Sequence, residues 1–172
     1  MNDKTITIFG TANAKSGEPA YKLAYQTGKL LAQAGFTIAN GGYGGTMLAA
    51  SKGAAEADGK TIGVTCLAFA RTPNEYISRE IVTDSLDERL DTLIKLGQAY
   101  VVLPGGTGTL LELAKVWELK NKGFIEADKA IILVGRFWEP LTDLIAGDDP
   151  ESMRYIQQAE GPEQVVELII DY

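Results

Sequence analysis

The sequence contains no histidine and only one cysteine, Cys66, in 172 residues. Without histidine there can be no Ser-His or Cys-His nucleophilic centre, and no metal site that depends on an imidazole ligand. A lone cysteine excludes a disulfide within the chain and is typical of a reducing compartment. Acid–base chemistry therefore depends on carboxyl groups, and anion binding depends on arginine, lysine and backbone amides.

Long apolar runs are also missing, and the first residues show no signal-peptide pattern, so we expect a cytoplasmic protein without a membrane segment. The formal net charge of −7 argues against a broad nucleic-acid-binding surface. The hydrophobic fraction of 45% is that of an ordinary globular protein. We predict a single domain over residues 1–172, large enough to bury a core.

One glycine-rich turn is the strongest functional signal. The apolar run at residues 100–103 predicts a buried strand, and Pro104 ends it because proline cannot donate to a sheet. The glycines that follow allow a sharp turn into a helix predicted to begin near residue 109. Amides at such a helix start, aided by the helix dipole, form an anion site. The candidate phosphate-binding residues here are Gly105, Gly106, Thr107, Gly108 and Thr109.

Strand and helix patterns alternate along the chain. Strands are predicted at residues 5–9, 36–39, 61–65, 81–83, 100–103 and 129–134, and the intervening segments have helical periodicity. This order indicates an α/β, Rossmann-like, doubly wound parallel sheet with helices on both faces. Ligands bind such sheets beyond the carboxyl ends of the strands. Further candidate binding glycines follow the first two strands: Gly10, Gly41, Gly42, Gly44 and Gly45.

Neither common nucleotide motif is present. The dinucleotide motif G-x-G-x-x-G would require glycine where the chain has Leu111 or Met47. No G-x-x-x-x-G-K-[ST] sequence exists, so the phosphate-transfer loop is missing too. A nicotinamide enzyme and a kinase are both disfavoured.

The segment Pro104-Gly-Gly-Thr-Gly-Thr-Leu-Leu-Glu112 resembles the motif P-G-G-x-G-T-x-x-E of the "lonely guy" (LOG) family. Members of that family are cytokinin riboside 5′-monophosphate phosphoribohydrolases, long mislabelled as lysine decarboxylases. The family's M-x-x-R-K motif is similar to Leu86-Asp-Glu-Arg89-Leu90, with Arg89 fifteen positions before Pro104. The family's first glycine block is approximated by the sequence from Gly41 to Met47.

The resemblance implies an N-glycosyl hydrolase that releases a free base and ribose 5-phosphate from a nucleoside 5′-monophosphate such as AMP or a cytokinin nucleotide. It implies Glu112 and Arg89 as catalytic residues, no cofactor and no metal. It also implies a homo-oligomer, a dimer or a tetramer, whose interface buries helices that include the one predicted at residues 84–96. Proteins similar to the molybdenum-cofactor carrier of algae share the fold. Because Leu90 replaces the family's lysine and Leu86 its methionine, a non-hydrolytic nucleotide or molybdenum-cofactor carrier is the alternative.

Each candidate also has a purely structural interpretation. Thr109-x-x-Glu112 fits a capping box, in which the glutamate caps the helix start. Arg89 fits a solvated position on an acidic helix, and residues 41–45 fit a plain strand-to-helix turn. In the functional interpretation, the helix N-terminus keeps Glu112 ionised, so that it stabilises positive charge on the ribose. Tyr43 and Arg79 are weaker candidates, and the source of the leaving-group proton is not identified.

Overall fold

The computed structural model describes residues 4–171, which form a seven-stranded sheet. The strand order is β4-β3-β2-β1-β5-β6-β7, and every neighbouring pair is parallel. From β1 the chain adds strands on one side up to β4 and then on the other side from β5, so the strand order reverses between β1 and β5. Open parallel sheets bind their ligands at this point. The strands are β1 (Thr5–Phe9), β2 (Thr37–Asn40), β3 (Thr61–Cys66), β4 (Arg79–Thr83), β5 (Ala99–Val102), β6 (Ile131–Val134) and β7 (Ile156–Ala159).

Helices cover both faces of the sheet, as the alternating pattern predicts. They are α1 (Pro19–Gln33), α2 (Thr46–Ala55), α3 (Leu86–Leu96), α4 (Thr107–Asn121), α5 (Glu139–Ala146) and α6 (Pro162–Ile170). One core layer packs α1, α2 and α6 against the sheet, and the other packs α3, α4 and α5 against the opposite face. The predicted doubly wound α/β architecture is therefore confirmed.

The predicted strands agree with the structure to within two residues at each end, but β7 was not predicted. Its sequence, Ile-Gln-Gln-Ala, has two glutamines and no β-branched run, so it lacks a strand signal. Strand β7 pairs with β6, with Ile156 opposite Ile131 and Ala159 opposite Val134. It lies at the edge of the sheet. Tertiary pairing rather than local preference makes this segment a strand.

The stretch between β3 and β4, predicted to be irregular, contains a short 3-10 helix, Leu67–Phe69. A second 3-10 helix, Pro150–Tyr155, precedes β7. Among the residues that the structure describes, none of the helices has the length and apolar character needed to cross a bilayer. The carboxyl ends of β1, β2 and β5 meet at one edge of the sheet, and the glycine turns lie there.

Candidate active site

The N-terminus of α4 faces this edge. Gly106 is the N-cap, and its carbonyl accepts the first helical hydrogen bond, from Leu110 N at 2.9 Å. The amides of Thr107, Gly108 and Thr109 therefore have no acceptor within the helix. A Cβ built on Gly106 or Gly108 meets no atom within 4 Å, so both glycines border open space. The predicted anion site is thus an exposed first helical turn.

Glu112 does not cap this helix. A capping box would need Thr109 at the N-cap, but the N-cap of α4 is Gly106, three residues earlier than that pattern requires, and it makes no side-chain cap. Glu112 is therefore more than one turn inside the helix. The capping interpretation of the Thr109-x-x-Glu112 pattern is wrong.

The Arg89 side chain is buried and is fixed by a hydrogen bond and two aromatic rings. Only 7% of the residue is exposed, so the solvated-helix interpretation is wrong. Its Nε donates to Val64 O at 2.8 Å, and its guanidinium carbon lies 5.6 Å from each of the ring centroids of Tyr43 and Phe69. The Nη1 atom lies 3.9 Å from Oε1 of Glu112. The two residues expected to be catalytic therefore face each other.

The Glu112 side chain is only 14% exposed. Burial raises its pKa from 4.5 to about 7, although the Arg89 guanidinium acts in the opposite direction. The expectation that a helix N-terminus keeps Glu112 ionised does not hold, because the carboxyl lies beyond the first turn and inside an apolar wall. Near neutral pH, both the acid and the carboxylate are populated.

The glycines of residues 41–45 serve mainly the protein framework. Gly42 N donates to Asn40 Oδ1 at 2.8 Å, and Gly42 O accepts from Asn74 N at 2.8 Å. A Cβ on Gly41 would stand 1.7 Å from Nη2 of Arg89. Gly45, with φ of 66°, brings the chain so close to the loop after β1 that a Cβ would lie 2.3 Å from Thr11 O. Gly41 and Gly45 therefore make room for protein atoms, and Gly42 fixes the turn through its backbone hydrogen bonds.

A cavity of about 290 Å³ is lined by the start of α4, Arg89 and Glu112. Its lining includes Gly10, Gly106, Gly108, Thr109, Arg89 and Glu112 from the predicted site. Gly41, Gly42, Gly45, Gly105 and Thr107 do not line it, and Gly44 lines a neighbouring cavity. The volume is at the lower end of the range of about 300–1,000 Å³ that is typical of small-molecule sites, so it suits one compact ligand.

The apolar residues that line the cavity were not predicted as site residues from the sequence. Met47, Phe69, Leu86, Leu90 and Leu111 line the cavity. Tyr43, a weak candidate, lines it too and exchanges two hydrogen bonds with the backbone of Cys66. Arg79, the other weak candidate, is an exposed residue of β4 outside the lining. Helical periodicity marked Leu90 as apolar, but nothing in the irregular stretch after β3 marked Phe69.

Across residues 4–171, no group of three or more cysteine, aspartate or glutamate side chains could hold a metal ion. The polar groups of the cavity are a carboxyl, guanidinium groups, hydroxyls and amides. This set suits an anionic organic ligand rather than a bound cation.

Comparison with known proteins assigns the chain to a family. The SLOG cluster4 family profile matches residues 3–166. The chain belongs to the SLOG cluster4 family. The resemblance to LOG proteins drawn from the two motifs is therefore confirmed at the level of family.

Among the similar proteins, two from mycobacteria carry the same enzyme name. The chain is 32% identical over 136 residues to the cytokinin riboside 5′-monophosphate phosphoribohydrolase of Mycobacterium tuberculosis, covering 77% of this chain and 71% of that protein. It is 30% identical over 134 residues to the protein of the same name from Mycobacterium marinum, covering 76% and 70%. A solved structure, the molybdenum cofactor binding protein of Rippkaea orientalis, has a TM-score of 0.83 and 28% identity, covering 99% of this chain and 98% of that one.

Proposed function

We propose that this SLOG protein hydrolyses the N-glycosidic bond of a nucleoside 5′-monophosphate, giving the free base and ribose 5-phosphate. The observation that carries the proposal is the pairing of Arg89 with Glu112 in the same cavity as the open N-terminus of α4. An anion-binding turn and a buried carboxyl are the two parts that this reaction needs. The names of the mycobacterial relatives support the same reaction class.

The 5′-phosphate binds at the first turn of α4, on the amides of Thr107, Gly108 and Thr109. Charge-assisted hydrogen bonds to backbone amides are stronger than neutral ones, and the helix dipole adds to them. The phosphate does not react. Its binding energy orients the ribose so that the glycosidic bond lies beside Glu112, and such remote contacts increase the rate of the chemical step.

Glu112 supplies the proton that the sequence left unassigned. With a pKa near 7, its protonated form donates to a ring nitrogen of the base as the C1′–N bond breaks and the bonding electrons leave with the base. The ribose ring then carries positive charge, which the new carboxylate stabilises. Water attacks C1′ and returns its proton to Glu112, so the enzyme is restored.

Arg89 influences the protonation of Glu112 during this reaction. Its guanidinium, fixed by Val64 O and the rings of Tyr43 and Phe69, stabilises the carboxylate once the proton has left. It is also the cation nearest to the carboxyl, so it prevents burial from raising that pKa further. Arg89 therefore acts chiefly on the protonation of Glu112.

The pH dependence of adenine release from AMP tests this mechanism. Because the free enzyme must carry the proton on Glu112, kcat/KM is expected to fall as pH rises through about 7. If Glu112 acted only as a carboxylate, kcat/KM would rise through the same range. Chromatography of free adenine and ribose 5-phosphate in equal amounts identifies the reaction.

A non-hydrolytic carrier is the second candidate. The structural likeness to the molybdenum cofactor binding protein of Rippkaea orientalis favours it, as does Leu90 in place of the LOG lysine. A carrier would bind AMP or a pterin nucleotide and return it unchanged. Incubation of pure protein with AMP, followed by recovery of all the AMP, would support this candidate against hydrolysis.

We also propose a cytoplasmic homo-oligomer, a dimer or a tetramer. Three residues of the apolar stripe of α3, Leu90, Leu93 and Ile94, are buried in the core and cannot contribute to its interface. Leu86 and Leu111, each 44% exposed, instead support an interface around the mouth of the cavity. Light scattering at micromolar concentration should give at least twice the mass of the chain, and a monomer would contradict the proposal.

A further inference from the structure

The segment that follows the Leu67–Phe69 helix has an unusual backbone. Ala70 has φ of 47° and ψ of 44°, a left-handed conformation that is unfavourable for a residue with a side chain. Its two neighbours, Phe69 and Arg71, both line the site cavity. Strained residues of this kind persist where the surrounding structure requires them, often beside a ligand site. The strain at Ala70 is thus part of how this wall of the cavity is built.

Arg71 differs from Arg89 in its partners. The guanidinium of Arg89 is already committed to Val64 O and faces Glu112. Within residues 4–171, the side chain of Arg71 takes part in no hydrogen bond or salt bridge, and the residue is exposed. In a chain with a net charge of −7, an uncommitted cation at the cavity is well placed to attract an anionic ligand.

Arg71 lies at the junction of two cavities. It lines the site cavity and a neighbouring cavity of about 460 Å³, and Ala12 and Tyr43 also line both. Ala12 belongs to the loop after β1, which is joined to the end of β5 by the hydrogen bond from Thr11 N to Pro104 O at 3.3 Å. Pro104 leads directly into the first turn of α4. Arg71 and the first turn of α4, through Gly106, Gly108 and Thr109, therefore line the same cavity.

We infer that Arg71 binds the 5′-phosphate of the substrate and makes the site selective for nucleotides over nucleosides. This inference rests on the proposed function, because it assigns the phosphate to the α4 end of the cavity. The helix dipole supplies about half a unit of positive charge, whereas a phosphate monoester carries about two negative charges. Arg71 supplies a full charge and a planar set of donors that matches phosphate oxygens.

The experiment compares AMP with adenosine, which differs only by the phosphate. Calorimetric titrations measure both affinities for wild type, Arg71→Gln and Arg71→Lys. Arg71→Gln should weaken AMP binding about ten- to a hundredfold and leave adenosine binding unchanged, because a hydrogen bond to a charged group is lost. Arg71→Lys should recover part of the loss. Arg79→Gln, which removes an exposed arginine outside the cavity, should bind both ligands as wild type does.

Equal weakening of AMP and adenosine by Arg71→Gln would overturn the inference, since Arg71 would then contact the base or ribose. So would unchanged affinity for both. Failure of the proposed function has a different signature: wild type would bind AMP yet release no adenine. In that case the comparison of affinities still decides whether Arg71 binds the phosphate. A wild type that binds no AMP would overturn both.

Discussion

Gly41 and Arg89 are in such close contact that a single methyl group on Gly41 would stand 1.7 Å from Nη2 of Arg89. No guanidinium can remain in place beside that methyl, since real Cβ contacts do not fall below 3.0 Å. The glycine at position 41 is therefore required by the buried arginine. The turn at residues 41–45 resembles a ligand-binding loop in sequence. In the structure, its first glycine instead makes the space in which the Arg89 side chain lies.

Gly41→Ala should lower the turnover of AMP roughly 10²–10³-fold, as expected for loss of one preorganised electrostatic group. Circular dichroism should show a folded protein. The double variant Gly41→Ala/Arg89→Ala should be no less active than Arg89→Ala alone, because the first change acts through the second residue. Additive losses in this cycle would contradict the relationship.

Gly106→Val should abolish AMP binding without unfolding the chain. A Cβ at Gly106 meets nothing within 4 Å of protein, so the new side chain occupies cavity space rather than the core. Gly161→Val is a matched control, because Gly161 is the N-cap of α6 and lies outside the cavity. Calorimetry should detect no AMP binding for the first variant and wild-type affinity for the second. Binding retained by Gly106→Val would place the ligand elsewhere.

Leu90→Lys tests whether the missing LOG lysine limits hydrolysis. Leu90 is 3% exposed and lines the cavity, so the substitution should cost roughly 1–3 kcal/mol of stability, because an amine is partly buried. The new ammonium group would enter the cavity that Arg89 also lines, where it should increase the release of adenine. Leu90→Met keeps the shape without the charge and should behave as wild type. If wild type and Leu90→Lys both release no base from any nucleoside monophosphate, hydrolysis is contradicted.

The sequence predicted the overall architecture because alternating strand and helix periods leave few alternatives to a doubly wound sheet. It also predicted that Arg89 and Glu112 belong to one site, since two motifs at fixed spacing carried them. It did not predict the role of Gly41 or the presence of Phe69 and Arg71 in the wall. Those depend on contacts between segments distant in sequence, and the stretch after β3 has no periodicity from which to place side chains. The raised pKa of Glu112 likewise depends on how much water its neighbours exclude.

The stability of the protein should depend on pH through Glu112. In the folded chain its carboxyl has a pKa of about 7, against 4.5 for the ordinary group, so the folded state holds a proton that the unfolded state loses between these values. Its contribution to stability therefore falls as pH rises from 4.5 to 7. Glu112→Gln keeps the shape of the protonated acid and does not titrate.

The free energy of unfolding of Glu112→Gln should thus match that of wild type near pH 4.5 and exceed it by roughly 3 kcal/mol above pH 7. Urea denaturation at the two pH values measures this difference. A variant less stable than wild type at pH 8 would mean that attraction to Arg89 outweighs burial of the carboxylate.

The most direct test of the proposed hydrolysis is the release of adenine from AMP by wild type and by Glu112→Gln, with AMP affinity measured on both. Wild type should form adenine and ribose 5-phosphate in equal amounts. Glu112→Gln should lower kcat roughly 10²–10⁴-fold while the dissociation constant for AMP changes little, because the carboxyl acts on the transition state. A wild type that releases no adenine, or a Glu112→Gln variant that turns over AMP as fast as wild type, would contradict this proposal.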